Sequence, residues 1–197
     1  MPSAEDKKEI IQKSDEELMK DLKNGIISSF KILMERYNKA ITVFAYSYLR
    51  DNEATKDVIQ ETFLEVYKMR KKYKPTAKFS TWLYTITRSR CLNVLRHQKR
   101  HPSESLQYET ANPEKKGSIG DNLEQEEMKT ELKKAIDLLP YLYKEVVIMR
   151  EYENLSYKEI SEISGYPEST LRTRMEYALD KLKEVITKNQ TFSKERC

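Results

Sequence analysis

SYKEISEISGYPESTLRTRMEYALDKLK, residues 156–183, decides the reading of this chain. Ser156 followed three residues on by Glu159 is the signature of a capping box, so a helix opens there and turns Ile160 and Ile163 inward. Ser164-Gly165-Tyr166 makes a tight turn, and Pro167 sits where a helix begins without needing its N–H. The second helix points Leu171 and Met175 inward and gathers Ser169, Thr170, Arg172, Thr173 and Arg174 around its exposed first turns. Helix, glycine turn and helix, with hydroxyls and arginines at the second start, predict a helix-turn-helix. Arginine pairs bidentately with guanine in the major groove, while hydroxyls and helix N-terminal amides hold phosphate. The competing reading is an ordinary helical hairpin with a polar outer face.

Working outward, the rest of the chain is helical as well. Its 197 residues hold 4 glycines and 6 prolines, and neither type occurs between Gly25 and Pro75, between Gly120 and Pro140, or after Pro167. Strand proteins need turn chemistry far more often than that. The fold class is all-α: two small helical domains joined by a flexible linker, the second carrying the helix-turn-helix.

The first domain is read over 14–100. Ser14 and Glu17 make another capping box, and Leu18, Leu22, Ile26, Phe30, Leu33, Met34 and Tyr37 follow at helical spacing with a break at Gly25. Ile41, Phe44, Ala45, Tyr48 and Leu49 continue the stripe. After Asp51-Asn52 come Ala54, Val58, Phe63, Val66 and Tyr67. A last helix from about Ser80 to Arg100 turns Trp82, Leu83, Ile86, Leu92 and Leu95 inward. Over 101–125 periodicity stops in a stretch rich in Pro, Gly, Ser and Glu, which reads as linker. The second domain, 126–190, resumes with Met128, Leu132, Ile136 and Leu139, breaks at Pro140, and goes on through Val146, Val147, Met149 and Tyr152.

Charge is segregated. The net charge is only +4, yet residues 66–103 contain no Asp or Glu. Lys68, Arg70, Lys71, Lys72, Lys74, Lys78, Arg88, Arg90, Arg96, Lys99 and Arg100 lie in that stretch, interleaved with Tyr73, Phe79, Trp82 and Tyr84. Cations for phosphates beside aromatic faces for unstacked bases are the means of single-strand binders. The competing reading is a solvated basic face over core aromatics. Just before it, Asp57, Gln60 and Glu61 share one helix face, which suits either a protein partner or solvent.

Other chemistries find no support. His97 and His101 with Cys91 make a poor zinc set, and no metal or cofactor is expected. No phosphate-binding loop, nucleophile elbow or HExxH occurs, so no enzyme is expected. Two cysteines make no disulfide framework, and no apolar run nears membrane-spanning length. MPSAEDKKEII has no signal-peptide core, so the expected location is the cytoplasm, with no membrane contact.

At this point the chain resembles the extracytoplasmic-function (ECF) sigma factors of bacterial RNA polymerase, from Ser14 to Ile186. DVIQETFLEVYK (57–68) is similar to the helix these factors dock on the polymerase, FSTWLYTITRSRCLNVLRHQKR (79–100) to their promoter-melting and minus-ten segment, and LPYLYKEVVIMREYENLSYKEISEISGYPESTLRTRMEYALDKLK (139–183) to their minus-thirty-five domain. Ser89 and Asn93 stand where the family usually has Asn and Asp, and Pro167 and Ser169 where Ser and Gly are common. The resemblance implies a factor that binds core polymerase and promoter DNA, reads both promoter elements and captures the melted non-template strand. It assigns Asp57, Gln60 and Glu61 to polymerase. Lys78, Phe79, Ser80, Trp82, Arg88, Ser89 and Arg96 fall to the minus-ten element and melting. Ser169, Thr170, Arg172, Thr173 and Arg174 fall to the minus-thirty-five element. An anti-sigma factor is a further candidate partner. The rival function is a stand-alone two-domain helix-turn-helix regulator of duplex DNA, which would have no need of a strand-capture helix beside an acidic docking face.

Overall fold

The computed structural model describes residues 12–75, 78–100, 132 and 134–194, so the linker read at 101–125 lies outside the described residues. Among those described, every regular element is a helix, and the chain forms two compact units. The first contains α1 (Asp15–Lys23), α2 (Ile27–Leu49), α3 (Asn52–Met69) and α4 (Phe79–Arg100).

Local chemistry sets the ends of these helices. Ser14 and Glu17 form the reciprocal capping box, which holds the Glu17 carboxyl below its ordinary value, chiefly through the Ser14 backbone N–H. Gly25, with φ +96°, turns the chain from α1 into α2 at no steric cost. Asp51 accepts from the Ala54 N–H at 2.9 Å and starts α3. α2 packs on α1, α3 and α4, α3 packs on α4, and α1 also touches α4. Leu18, Met19, Leu22, Leu33, Phe44, Val58, Phe63, Val66, Phe79, Leu83, Tyr84 and Cys91 make the core. Burying each such side chain contributes roughly 1.5–3 kcal/mol.

The buried face of α4 is rotated from the expected one. Phe79, Thr81, Leu83, Tyr84, Thr87 and Cys91 are buried, whereas Trp82, Ile86, Leu92 and Leu95 are only half-buried. Threonine makes this possible: the Thr87 hydroxyl donates to the Leu83 carbonyl at 2.9 Å, leaving its methyl to pack as an apolar group. Ile26 and Met34, counted in the inward stripe, are exposed.

The second unit contains a short helical stretch at 134–138, then α5 (Tyr141–Val147), a π-helical turn (Ile148–Tyr152), α6 (Tyr157–Ser164) and α7 (Glu168–Lys194). Val146, Met149, Ile160, Leu171, Met175 and Ala178 form its core. Tyr152, expected inward, is exposed, because the wider π turn breaks the 3.6-residue register that would have put it beneath Met149. Two charged side chains, Lys144 and Glu145, are buried at 1% and 0% exposure.

Candidate nucleic-acid interface

The helix-turn-helix forms as its sequence directs. Ser156 and Glu159 cap α6 reciprocally, and Gly165 ends it with φ +76°. The Ser161 hydroxyl donates to the Tyr166 carbonyl at 2.7 Å, tying the turn to the helix before it. α7 then presents Ser169, Arg172 and Thr173 on its outer face, with Thr170 half-buried. Thr173 donates its hydroxyl proton to the Ser169 carbonyl at 3.2 Å, so it offers acceptor lone pairs outward.

The two arginines of α7 stand in different surroundings. Arg172 keeps 58% of its side chain exposed, 3.5 Å from Glu168, with its guanidinium 4.5 Å from the centre of the Tyr157 ring. Arg150 lies against the same ring at 5.2 Å. Arg174 is only 15% exposed, lies 3.8 Å over the Tyr166 ring and pairs at 3.6 Å with the fully buried Glu145. The expectation that Arg174 belongs to the exposed cluster is corrected: it is directed into the domain, toward a carboxylate that needs a cation.

In the first unit the aromatic expectation divides. Phe79 has no exposure; its ring lies 5.4 Å from Tyr37, 6.4 Å from Tyr73 and 6.2 Å from Trp82. Tyr73 and Tyr84 are buried too, and burial, with Glu16 and Asp15 adding to it, pushes the Tyr73 hydroxyl up to about 12. Three of the four interleaved aromatics are therefore core. Trp82 alone of the four is half-exposed, 5.1 Å from Tyr73. Trp82, Ser89 and Arg96 recur every seven residues and so share one stripe of α4, with Arg96 held 2.9 Å from the Asn93 side-chain oxygen. Lys78 and Ser89 are exposed, and Ser80 and Arg88 half-buried. Cys91 is inside, its thiol pushed up to about 12 by burial; His101, a member of the zinc set judged poor, lies outside the described residues.

Asp57, Gln60 and Glu61 are exposed on α3, as expected. Three features were missed. Leu64, one turn further along that stripe, is 55% exposed. Arg90 of α4 reaches Glu61 and Glu65 of α3, each at 3.2 Å, and so pins the acidic helix to the basic one. Glu16 of α1 accepts the Phe79 N–H at 3.2 Å, capping α4 from 63 residues away. An i,i+4 count along one helix finds no such pairs, because both partners are set by tertiary packing.

A helix-turn-helix with an outward arginine and hydroxyls, in a chain that also carries a basic helix beside an acidic one, is an arrangement that suits binding to DNA. The family Sigma-70 region 2 matches residues 33–101, and Sigma-70, region 4 matches residues 129–182. The ECF RNA polymerase sigma-E factor of Haemophilus influenzae is 30% identical over 183 residues, 89% of this chain and 96% of that protein. RNA polymerase sigma factor CarQ of Myxococcus xanthus is 26% identical over 168 residues, 85% and 95% of the two chains. In fold, the chain is similar to the sigma factor RpoE solved with the anti-sigma factor NepR from Bartonella quintana. The TM-score is 0.66 at 20% identity, covering 80% of this chain and 96% of that one. The chain belongs to the ECF sigma factors, which direct RNA polymerase to promoters.

Proposed function

We propose that the exposed stripes divide the initiation task among themselves, and that the chain acts by binding alone, in the cytoplasm, without catalysis. Asp57, Gln60 and Glu61, with Leu64 as an apolar anchor, dock core polymerase. Lys78, Ser80, Trp82, Arg88, Ser89 and Arg96 hold the minus-ten element and its opened strand, while Phe79 supports them from the core. Ser169, Thr170, Arg172 and Thr173 read the minus-thirty-five element, and residues 101–125 link the two domains. A partner of the anti-sigma class, as bound to the Bartonella quintana protein, is the remaining candidate.

The observation that carries this reading is the separation of charge on two helices in contact. On α3, Glu53, Asp57 and Glu61 are exposed and Glu65 continues their stripe toward Arg90, while the neighbouring α4 carries no acid. Carboxylates repel phosphate, so the acidic stripe suits a basic protein surface and the α4 stripe suits nucleic acid. The test is charge reversal at Asp57 in the full chain, followed by core-polymerase binding and permanganate footprinting of promoter DNA. Lost core binding with unchanged helical circular dichroism is expected. Intact core binding with altered DNA affinity would sink the assignment.

A further inference from the structure

From the surroundings of Arg174 we infer that it is a positioning residue of promoter recognition: a strut that fixes the reading helix α7 against α5 rather than a hand that touches DNA. The inference rests on the assignment of α7 to the minus-thirty-five element. Glu145, on α5, has no exposed surface, and Arg174 approaches it at 3.6 Å. A buried carboxylate is costly unless a cation and hydrogen bonds compensate it, so the guanidinium is held inward. The other face of that guanidinium is taken by the Tyr166 ring at 3.8 Å. Tyr166 follows Gly165 in the turn of the motif, and its carbonyl is already tied to Ser161. One arginine thus gathers α5, the turn and α7.

Arg172 shows the contrast. It is largely exposed and rests on Tyr157 with Arg150 on the same ring, an arrangement that restrains the side chain at the surface, with Glu168 3.5 Å away. The two arginines of the motif therefore have separate tasks. Arg172 reads, and Arg174 sets the angle and depth at which Arg172, Ser169 and Thr173 meet the groove.

The experiment uses full-length protein reconstituted with core polymerase and a pool of duplexes randomised over the upstream element. It compares wild type with Glu145→Gln, Arg174→Gln and the double variant, at a temperature where circular dichroism shows each folded. The expected result is that both single variants lose enrichment of the preferred sequence by about tenfold, with the double variant no worse than either. The preferred bases and the salt slope of binding should stay as in wild type. If Arg174→Gln changes the base chosen at one position or flattens the salt slope while Glu145→Gln does neither, Arg174 touches DNA and the inference is overturned. An unchanged enrichment profile with only a lower melting temperature overturns it as well. No enrichment by wild-type holoenzyme would overturn both this inference and the reading-helix assignment beneath it. Should the glutamine variants not fold, Arg174→Lys, which keeps the charge beside Glu145, is read instead. Partial loss of enrichment with unchanged base choice is then expected, and an altered base choice or a wild-type profile is the overturning result.

Discussion

Glu61 serves two masters, and substitution can separate them. It lies on the acidic stripe with Asp57, yet it also accepts from Arg90 across the helix pair. Its side chain is 57% exposed, so screening limits the pair to about 0.5 kcal/mol. Glu61→Lys should weaken core-polymerase binding and lower thermal stability slightly, whereas Asp57→Lys should weaken binding alone. Melting curves beside a core-binding titration check this, and equal melting temperatures would show that Arg90 needs only Glu65. Phe79 and Trp82 separate in the same way. Phe79→Ala should cost about 3–5 kcal/mol, a core truncation, so its transcription defect will track unfolding. Trp82→Ala should reduce promoter opening more than it reduces stability. Denaturant titration alongside permanganate reactivity distinguishes the two. Cys91 and Tyr73 add a pH dependence. Their acidic groups are pushed from ordinary values of 9.0 and 10.0 up to about 12, so the unfolded chain gives up these protons before the folded one does. Stability should be whole below about pH 9 and fall as pH rises toward 12. The urea midpoint should therefore be lower at about pH 10 than at about pH 8, and an equal midpoint would show that neither group is held back.

The turn between α6 and α7 is where an element depends on one backbone conformation. Gly165 has φ +76°, and a Cβ there would meet nothing within 4 Å. Gly165→Ala should therefore cost only backbone strain, about 1–2 kcal/mol, with the fold retained. A melting temperature equal to wild type would refute that. This element was legible in sequence because its signals are local: a capping box, a glycine and a proline within a dozen residues. The inner face of α4 was not. Basic residues and aromatics interleaved from Lys68 to Arg100 fit both a strand-binding surface and a core covered by cations, and periodicity alone does not rank Trp82 over Phe79. What decided it was packing against α2, where the Phe44 ring lies 5.0 Å from Tyr84, and a threonine, Thr87, whose hydroxyl is satisfied by its own helix. The inward Arg174 was hidden for a related reason. Its partner Glu145 is 29 positions away, in a segment whose spacing gives no hint that a carboxylate is buried there.

For the whole chain, the burial of three aromatics sets an energetic limit on what it does unaided. Stacking on aromatic side chains contributes about 1–3 kcal/mol per base. Each separated base-pair step costs about 1.4 kcal/mol in stacking alone. With Trp82 the one half-exposed ring of the four, the chain by itself should bind promoter duplex weakly, with steep salt dependence, and open nothing. Adding core polymerase should produce permanganate-reactive thymines near the start site. Tight, sequence-specific duplex binding by the free protein, with no opening on adding core, would instead indicate a stand-alone regulator. The bond from the Phe79 N–H to Glu16 carries one more consequence, in the order in which the molecule is made. A ribosome releases the amino end first, so α1, with its carboxylate, is complete before α4 has been translated. α4 leaves the exit tunnel with the acceptor for its first N–H already synthesised.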